Sequence, residues 1–82
     1  MEKITQPHPC RLVFAQNMRQ VRRLKEISQE ELSFRANVSK TYINEVERGS
    51  RAVSIDVMGR IVDALEMPLE KLLQQRDLTL ME

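Results

Sequence analysis

Residues 28–49, SQEELSFRANVSKTYINEVERG, decide the fold. Ser28 followed three positions later by Glu31 is the pattern of a capping box. The Ser28 hydroxyl is expected to accept from the Glu31 amide, and the Glu31 carboxylate to reach back to the Ser28 amide. A helix over residues 29–36 follows, with Leu32 as its buried residue.

A short turn and a third helix come next. Asn37 is a turn residue that tolerates a left-handed backbone. Ser39 has the side chain of an N-cap, so the segment from about 39 to 48 is predicted to be helical and to end at Gly49. Its inward face is expected to hold Ile43 and Val46. Two helices joined by about three residues form a helix-turn-helix arrangement.

Helical periodicity continues on both sides of this unit. Before it, residues from about 10 to 26 are predicted to form a first helix. After it, Ser54 is predicted to cap a fourth helix over 55–66, and Pro68 to begin a fifth over about 68–75. The residues expected inward in these three helices are Phe14, Met18, Val21, Leu24, Ile55, Met58, Ile61, Val62, Leu65, Leu69, Leu72 and Leu73. The predicted fold class is all-α with five helices.

Length and composition limit the alternatives. The 82 residues predict one domain, too short for a doubly wound sheet or a barrel enzyme. Aromatic residues make up 4% and there are 2 glycines, which favours helices over a β-sandwich. We expect a flexible segment over 1–9, a helix-turn-helix domain over 10–75 and a tail over 76–82.

Several kinds of site and location are disfavoured. The longest apolar run, residues 12–15, is far short of a membrane span, and no signal pattern begins the chain. The single cysteine, Cys10, fits a reducing cytoplasm. With His8 it could contribute to a metal site, but a proline-stiffened lead-in to the first helix explains the same residues. No catalytic carboxylate pair is evident, so we expect no enzyme activity, cofactor, metal or small-molecule ligand.

The net charge of +1 hides an uneven distribution. Residues 1–51 contain ten Lys and Arg against six Asp and Glu, whereas residues 52–82 contain three against six. This asymmetry suits a nucleic-acid binder with a separate association surface. An ordinary solvated helix face would also account for it.

An ordered set of residues resembles the XRE family of helix-turn-helix repressors, which includes lambdoid phage repressors and restriction–modification controller proteins. The resemblance covers about residues 14–73 without gaps. It is carried by Ser28 to Leu32, Val38 to Ile43, Val46 to Gly49, Ser54, Asp56, Ile61, Asp63 to Leu65, Leu72 and Leu73. It implies a lambda-repressor-like domain that binds double-stranded DNA, in the cytoplasm of a prokaryote or encoded by a phage, associated with the nucleoid.

The resemblance also implies roles for individual residues. Gln29 looks like the family's phosphate-clamping glutamine at a helix N-terminus. Base-reading positions match Lys40, Thr41, Asn44 and Glu45, and phosphate-contacting positions match Ser28, Gln29, Ser39, Tyr42, Arg48 and Arg51. Two of these have alternatives. Glu45 could accept from a cytosine amine or simply repel phosphates at wrong sites, and Tyr42 could reach a phosphate or only pack beside Ile43.

Arg22 and Glu47 resemble a family ion pair that fixes the orientation of helix one against helix three. We interpret them as structural rather than as DNA contacts. The sequence departs from the family pattern at Glu26 and Asn37, where glycine is common, and at Val53, where proline is common. None of these positions is among the predicted DNA contacts.

A single recognition helix reads only a few base pairs, so we expect a homodimer on a pseudo-palindromic operator. The predicted interface uses Leu69, Leu73, Leu78 and Leu80. A disordered tail is the alternative for the last two. The predicted function is a sequence-specific transcription regulator, with controller-like control of its own promoter as the favoured subtype. The alternative is an antitoxin that binds a partner protein as well as DNA.

Overall fold

The computed structural model describes residues 6–75, which fold into five α-helices with no strand among them. They are α1 (Pro9–Leu24), α2 (Gln29–Ala36), α3 (Lys40–Glu47), α4 (Ile55–Leu65) and α5 (Leu69–Leu72). The all-α prediction is confirmed, and α2 has the predicted bounds. The fifth helix is a single turn, shorter than expected, with Leu73 as its C-cap.

Serine side chains begin the three middle helices as predicted. The hydroxyls of Ser28, Ser39 and Ser54 accept from the amides of Glu31, Tyr42 and Val57 at 2.9, 3.0 and 3.1 Å. The return half of the predicted capping box is absent from the hydrogen bonds of residues 6–75. The Glu31 carboxylate instead accepts from Arg35 Nε at 2.8 Å, one helical turn later. Ser28 therefore acts as a simple N-cap.

The first helix begins one residue earlier than predicted. His8 is its N-cap, and the imidazole Nδ1 accepts from the Cys10 amide at 3.0 Å. Pro9 occupies the first helical position, where its missing N–H is not needed. The Pro7–Cys10 segment thus works as a helix lead-in, and Pro9 belongs to the domain rather than to the segment before it.

The core lies where α1, α2, α3 and α4 meet, with α5 closing one end against α1 and α4. Its fully buried large side chains are Phe14, Met18, Leu32, Ile43, Val46, Ile61, Leu65 and Leu72. Three residues expected inward are exposed: Leu24 is 74% exposed, Ile55 65% and Leu73 41%. Met58 and Leu69, also expected inward, are half-buried. Each of the three exposed residues lies at or next to a helix end.

Asn17 ties α5 to α1. Its side-chain Nδ2 donates to the carbonyl oxygens of Leu72 and Gln74, both at 2.8 Å. Asn17 itself is buried, so these bonds satisfy a polar group that would otherwise be costly to bury. One amide thereby holds the short last helix in place.

Left-handed backbone ends three of the helices. Glu26, Asn37 and Glu66 have φ of 59°, 60° and 58°. Glu26 and Asn37, the departures from glycine named above, thus adopt the left-handed conformation that glycine favours. Gly49, with φ of 74°, follows α3, and a Cβ there would collide with Cδ2 of Leu12. Within residues 6–75, no helix has the length and apolar character needed to cross a lipid bilayer.

Candidate nucleic-acid interface

The N-terminal ends of α2 and α3 open onto one surface depression of about 330 Å³. It is lined by Gln29, Lys40, Thr41 and Asn44. Lys40 and Thr41 are exposed, while Gln29 and Asn44 are half-buried. The structure therefore brings together four of the predicted contact residues on a surface that the rest of the described chain leaves uncovered.

The opposite side of α3 is anchored in the core. Ile43 and Val46 are buried against α1 and α2, as predicted. Lys40 and Thr41 lie four and three residues before Asn44, so these three side chains share a face of α3, and that face borders the depression. Apolar packing thus sets the direction of the polar edge.

Arg22 of α1 and Glu47 of α3 form a buried ion pair. Arg22 Nε lies 2.6 Å from Glu47 Oε2, and Nη2 donates to Oε1 at 3.1 Å. Arg22 Nη1 also donates to the Ile27 carbonyl at 2.8 Å, in the loop before α2. The paired geometry fixes α1, the loop and α3 relative to one another, and the Glu47 side chain is only 2% exposed. Arg22 is therefore committed to the protein interior.

Sequence reasoning missed a third member of this network. Gln29 Nε2 donates to Glu47 Oε1 at 3.0 Å. The two residues are 18 positions apart on different helices, so neither periodicity nor a local motif could have indicated the contact. The predicted phosphate clamp is thus bonded to the predicted structural pair.

A second unpredicted cluster joins α3 to the loop that follows it. Arg51 Nη1 donates to Glu45 Oε1 at 2.8 Å, and the guanidinium carbon Cζ stands 4.8 Å from the centroid of the Tyr42 ring. Glu45 and Tyr42 are half-buried and Arg51 is exposed. Stacking a guanidinium on an aromatic face is favourable, so the three side chains hold one another. The sequence pattern indicates neither the pairing of Arg51 with Glu45 nor its packing on the Tyr42 ring.

Comparison with known proteins identifies the family of the chain. A helix-turn-helix family model matches residues 18–72.

The chain belongs to the helix-turn-helix family.

Among curated relatives, it is 44% identical over 64 residues to Control protein C.BamHI of Bacillus amyloliquefaciens, covering 77% of this chain and 79% of that one. It is 33% identical over 66 residues to Control protein C.SmaI of Serratia marcescens, covering 80% and 79%. The crystal structure of the restriction–modification controller protein C.AhdI from Aeromonas hydrophila superposes with a TM-score of 0.75 at 32% identity, covering 79% of this chain and 98% of that one. The protein is thus a DNA-binding helix-turn-helix transcriptional regulator of the XRE type, and its family is not an enzyme family.

The other predicted contact residues of this helix-turn-helix protein lie around the same ends. Ser28 and Ser39 are exposed N-caps of α2 and α3. Arg48 is exposed and follows α3 as its C-cap. These residues border the depression or the recognition helix, and their contacts with DNA remain a prediction.

The predicted association residues are only partly within the described chain. Leu69 is half-buried against the core, whereas Leu73 is exposed. Leu78, Leu80 and the tail over 76–82 lie outside the described residues. The exposed leucine at the end of α5 is therefore the described part of the predicted interface.

Proposed function

We propose that this regulator binds a pseudo-palindromic operator as a homodimer, with α3 in the major groove of each half-site. The observation that carries the proposal is the shared depression at the N-termini of α2 and α3. It offers a side-chain amide, an ammonium group, a hydroxyl and a second amide on one surface, in Gln29, Lys40, Thr41 and Asn44. Such a mixed donor surface suits a duplex, which presents phosphate and base acceptors side by side.

Gln29 and α2 would hold the phosphate backbone. Gln29 is the first residue of α2, so its side chain lies where the unpaired amides and the positive end of the helix dipole favour an anion. A contact of this kind sets the register of the protein on the duplex without reading sequence. It would strengthen binding to every duplex alike.

Lys40, Thr41 and Asn44 would read base edges. An exposed lysine at the first position of α3 is suited to donate to O6 and N7 of guanine, and Asn44, about one turn later, to pair with adenine. Glu45 and Arg51 are hydrogen-bonded to each other, so Arg51 lies beside the recognition helix rather than extending into solvent.

Dimerisation would supply the specificity that one helix lacks. Two recognition helices about 34 Å apart reach successive major grooves on one face of the duplex. The proposed contact is apolar, through Leu69 and Leu73, with Leu78 and Leu80 of the tail joining it. Leu73 supports the proposal because its side chain is exposed at the end of α5.

The similarity to control proteins supports the proposal that this regulator belongs to the controller-like subtype. We propose that the protein adjusts transcription from its own promoter according to its own concentration. A dimer that forms as the protein accumulates would make operator occupancy a steep function of concentration, which suits self-limiting control.

Selection of bound duplexes from a random library tests the proposal. The expected product is two inverted half-sites whose centres are about 10 base pairs apart. On the selected operator, Lys40→Ala should weaken binding by about 1–3 kcal/mol. Gln29→Ala should weaken binding to selected and random duplexes by the same factor.

Arg60→Ala is the matched control, because it also removes one positive charge, from an exposed position of α4 outside the proposed α3 and α5 surfaces. Its operator affinity should stay near that of the wild type. Direct repeats, or an operator bound equally well by Lys40→Ala, would contradict the assignment of α3. Leu73→Asp should convert dimer to monomer in sedimentation experiments, and an unchanged dimer would contradict the interface.

A further inference from the structure

The orientation of the Gln29 side chain is determined by a residue that DNA does not reach. An ionised carboxylate only accepts hydrogen bonds, so the amide group facing Glu47 is Nε2 and not Oε1. The amide nitrogen carries two hydrogens, and one of them points to Glu47 Oε1 at 3.0 Å. The second hydrogen remains for another acceptor.

Glu47 is itself immobilised. Its two oxygens receive Arg22 Nε and Nη2, and Oε1 accepts from both Arg22 and Gln29. Since the Glu47 side chain is 2% exposed, it has no direct path to a duplex. Any effect of Glu47 on DNA affinity beyond stability must therefore pass through a neighbour.

Gln29 is the neighbour that joins this buried pair to the surface depression. It is half-buried, bonded inward to Glu47, and lines the same depression as Lys40 and Asn44. A free glutamine side chain has three rotatable bonds and would lose their freedom on binding a phosphate. A side chain already held in one orientation loses little further conformational entropy when it binds.

We propose that Glu47 is a positioning residue for DNA binding, which fixes the Gln29 amide so that its second N–H faces a backbone phosphate. The ion pair with Arg22 then serves two purposes: it orients helices, and it holds the acceptor that orients the clamp. This inference rests on the proposed phosphate contact of Gln29 and adds the residue that acts through it.

A double-mutant cycle on a random-sequence duplex tests the coupling. The variants are Gln29→Ala, Glu47→Ala and the two combined, with affinity measured by fluorescence anisotropy at a temperature where circular dichroism shows every variant folded. Each single variant should bind about three- to tenfold more weakly per protomer, the range for one hydrogen bond. The double variant should bind no more weakly than the weaker single variant, because both changes remove the same contact.

Glu31→Ala is the matched control. It also removes a paired carboxylate, but Glu31 bonds to Arg35 and not to Gln29. Its effect on affinity should be the same with and without Gln29→Ala. If the effects of Glu47→Ala and Gln29→Ala multiply, as those of two independent residues do, Glu47 is only structural and the inference is overturned.

Loss of folding in Glu47→Ala would not end the test. The combined change Arg22→Met with Glu47→Leu removes both charges together, which spares the cost of an unpaired buried charge, and it takes the place of Glu47→Ala in the same cycle. An unchanged affinity in Gln29→Ala alone would refute the proposed phosphate contact itself. That result is distinct from a normal Gln29→Ala loss with independent Glu47, which refutes the positioning role only.

Discussion

The same substitution at the two glycines should change stability in opposite directions. Gly49 follows the recognition helix with φ of +74°, and an added Cβ would collide with Cδ2 of Leu12. Gly59 lies inside α4, and nothing stands within 4 Å of the Cβ it lacks. Gly49→Ala and Gly59→Ala are therefore matched variants that differ only in their surroundings.

The expected sizes come from backbone conformation and contact. For Gly49→Ala, a left-handed backbone costs about 1–2 kcal/mol for a residue with a Cβ. Leu12 is 47% exposed, so its side chain has room to rotate away, and an imperfect rotamer adds about 0.5–1.5 kcal/mol. For Gly59→Ala, replacing a helical glycine by alanine gains about 0.8–1.0 kcal/mol. The free energies of unfolding of the two variants should thus differ by about 3 kcal/mol.

Thermal unfolding followed by circular dichroism checks this. For a domain of this size about 1 kcal/mol moves the Tm by roughly 4–8 °C, so Gly49→Ala should melt well below the wild type and Gly59→Ala above it. Two protein concentrations should be used, because self-association raises the Tm. A Tm for Gly49→Ala equal to or above that of Gly59→Ala would refute the conformational argument.

Three further predictions concern the polar contacts. Arg22→Ala should lower the free energy of unfolding, measured with urea, by about 3–5 kcal/mol because it leaves Glu47 as an unpaired buried charge. Arg22→Met combined with Glu47→Leu should lower it much less, and equal losses would contradict the explanation. Asn17→Ala should lower the free energy of unfolding by about 1–3 kcal/mol and speed amide hydrogen exchange at residues 69–72, since two carbonyls lose their donor. Unchanged exchange at these residues would show that Asn17 does not hold α5. Glu45→Gln should release Arg51 to a phosphate and steepen the salt dependence of DNA binding by about 1 in log–log slope per protomer. Adding Arg51→Ala should abolish that change, and a change that persists would trace it to another group.

Local chemistry made much of the fold predictable. Ser28, Ser39 and Ser54 were identified as N-caps from side-chain chemistry alone, because a cap depends only on neighbours a few residues away. Asn37 was predicted to tolerate a left-handed turn for the same reason and has φ of 60°. Short-range rules reach these features without any knowledge of the tertiary structure.

Helix ends were where periodicity failed. The apolar spacing predicts that Leu24 and Ile55 face inward, yet both are exposed. Leu24 lines a surface depression with Gln16, Gln20 and Arg23, so it lies on the polar side of α1. A spacing of three or four residues brings two side chains close together on a helix, but it does not fix how far the buried face extends around the helix axis.

Side-chain networks of the candidate site were harder still. The resemblance to the XRE family placed Arg22 opposite Glu47, and the two are bonded. It did not indicate that Gln29 shares the same carboxylate, or that Arg51 pairs with Glu45 over the Tyr42 ring. These contacts depend on side-chain rotamers that the packing of the helices determines. A sequence pattern does not specify those rotamers.

The two hydrogen bonds between Asn17 and the end of α5 affect when the chain can complete its fold during translation. Their acceptors are carbonyls 55 and 57 residues downstream, so the nascent chain cannot make them until almost the whole described sequence has left the ribosome. At about 5–20 residues per second, translation alone imposes a wait of roughly three to eleven seconds. During that interval the helix-turn-helix segment leaves the ribosome before α5 can pack on α1 and α4. Phe14 and Met18 belong to the same core cluster as Leu72, so that core stays incomplete until α5 has emerged.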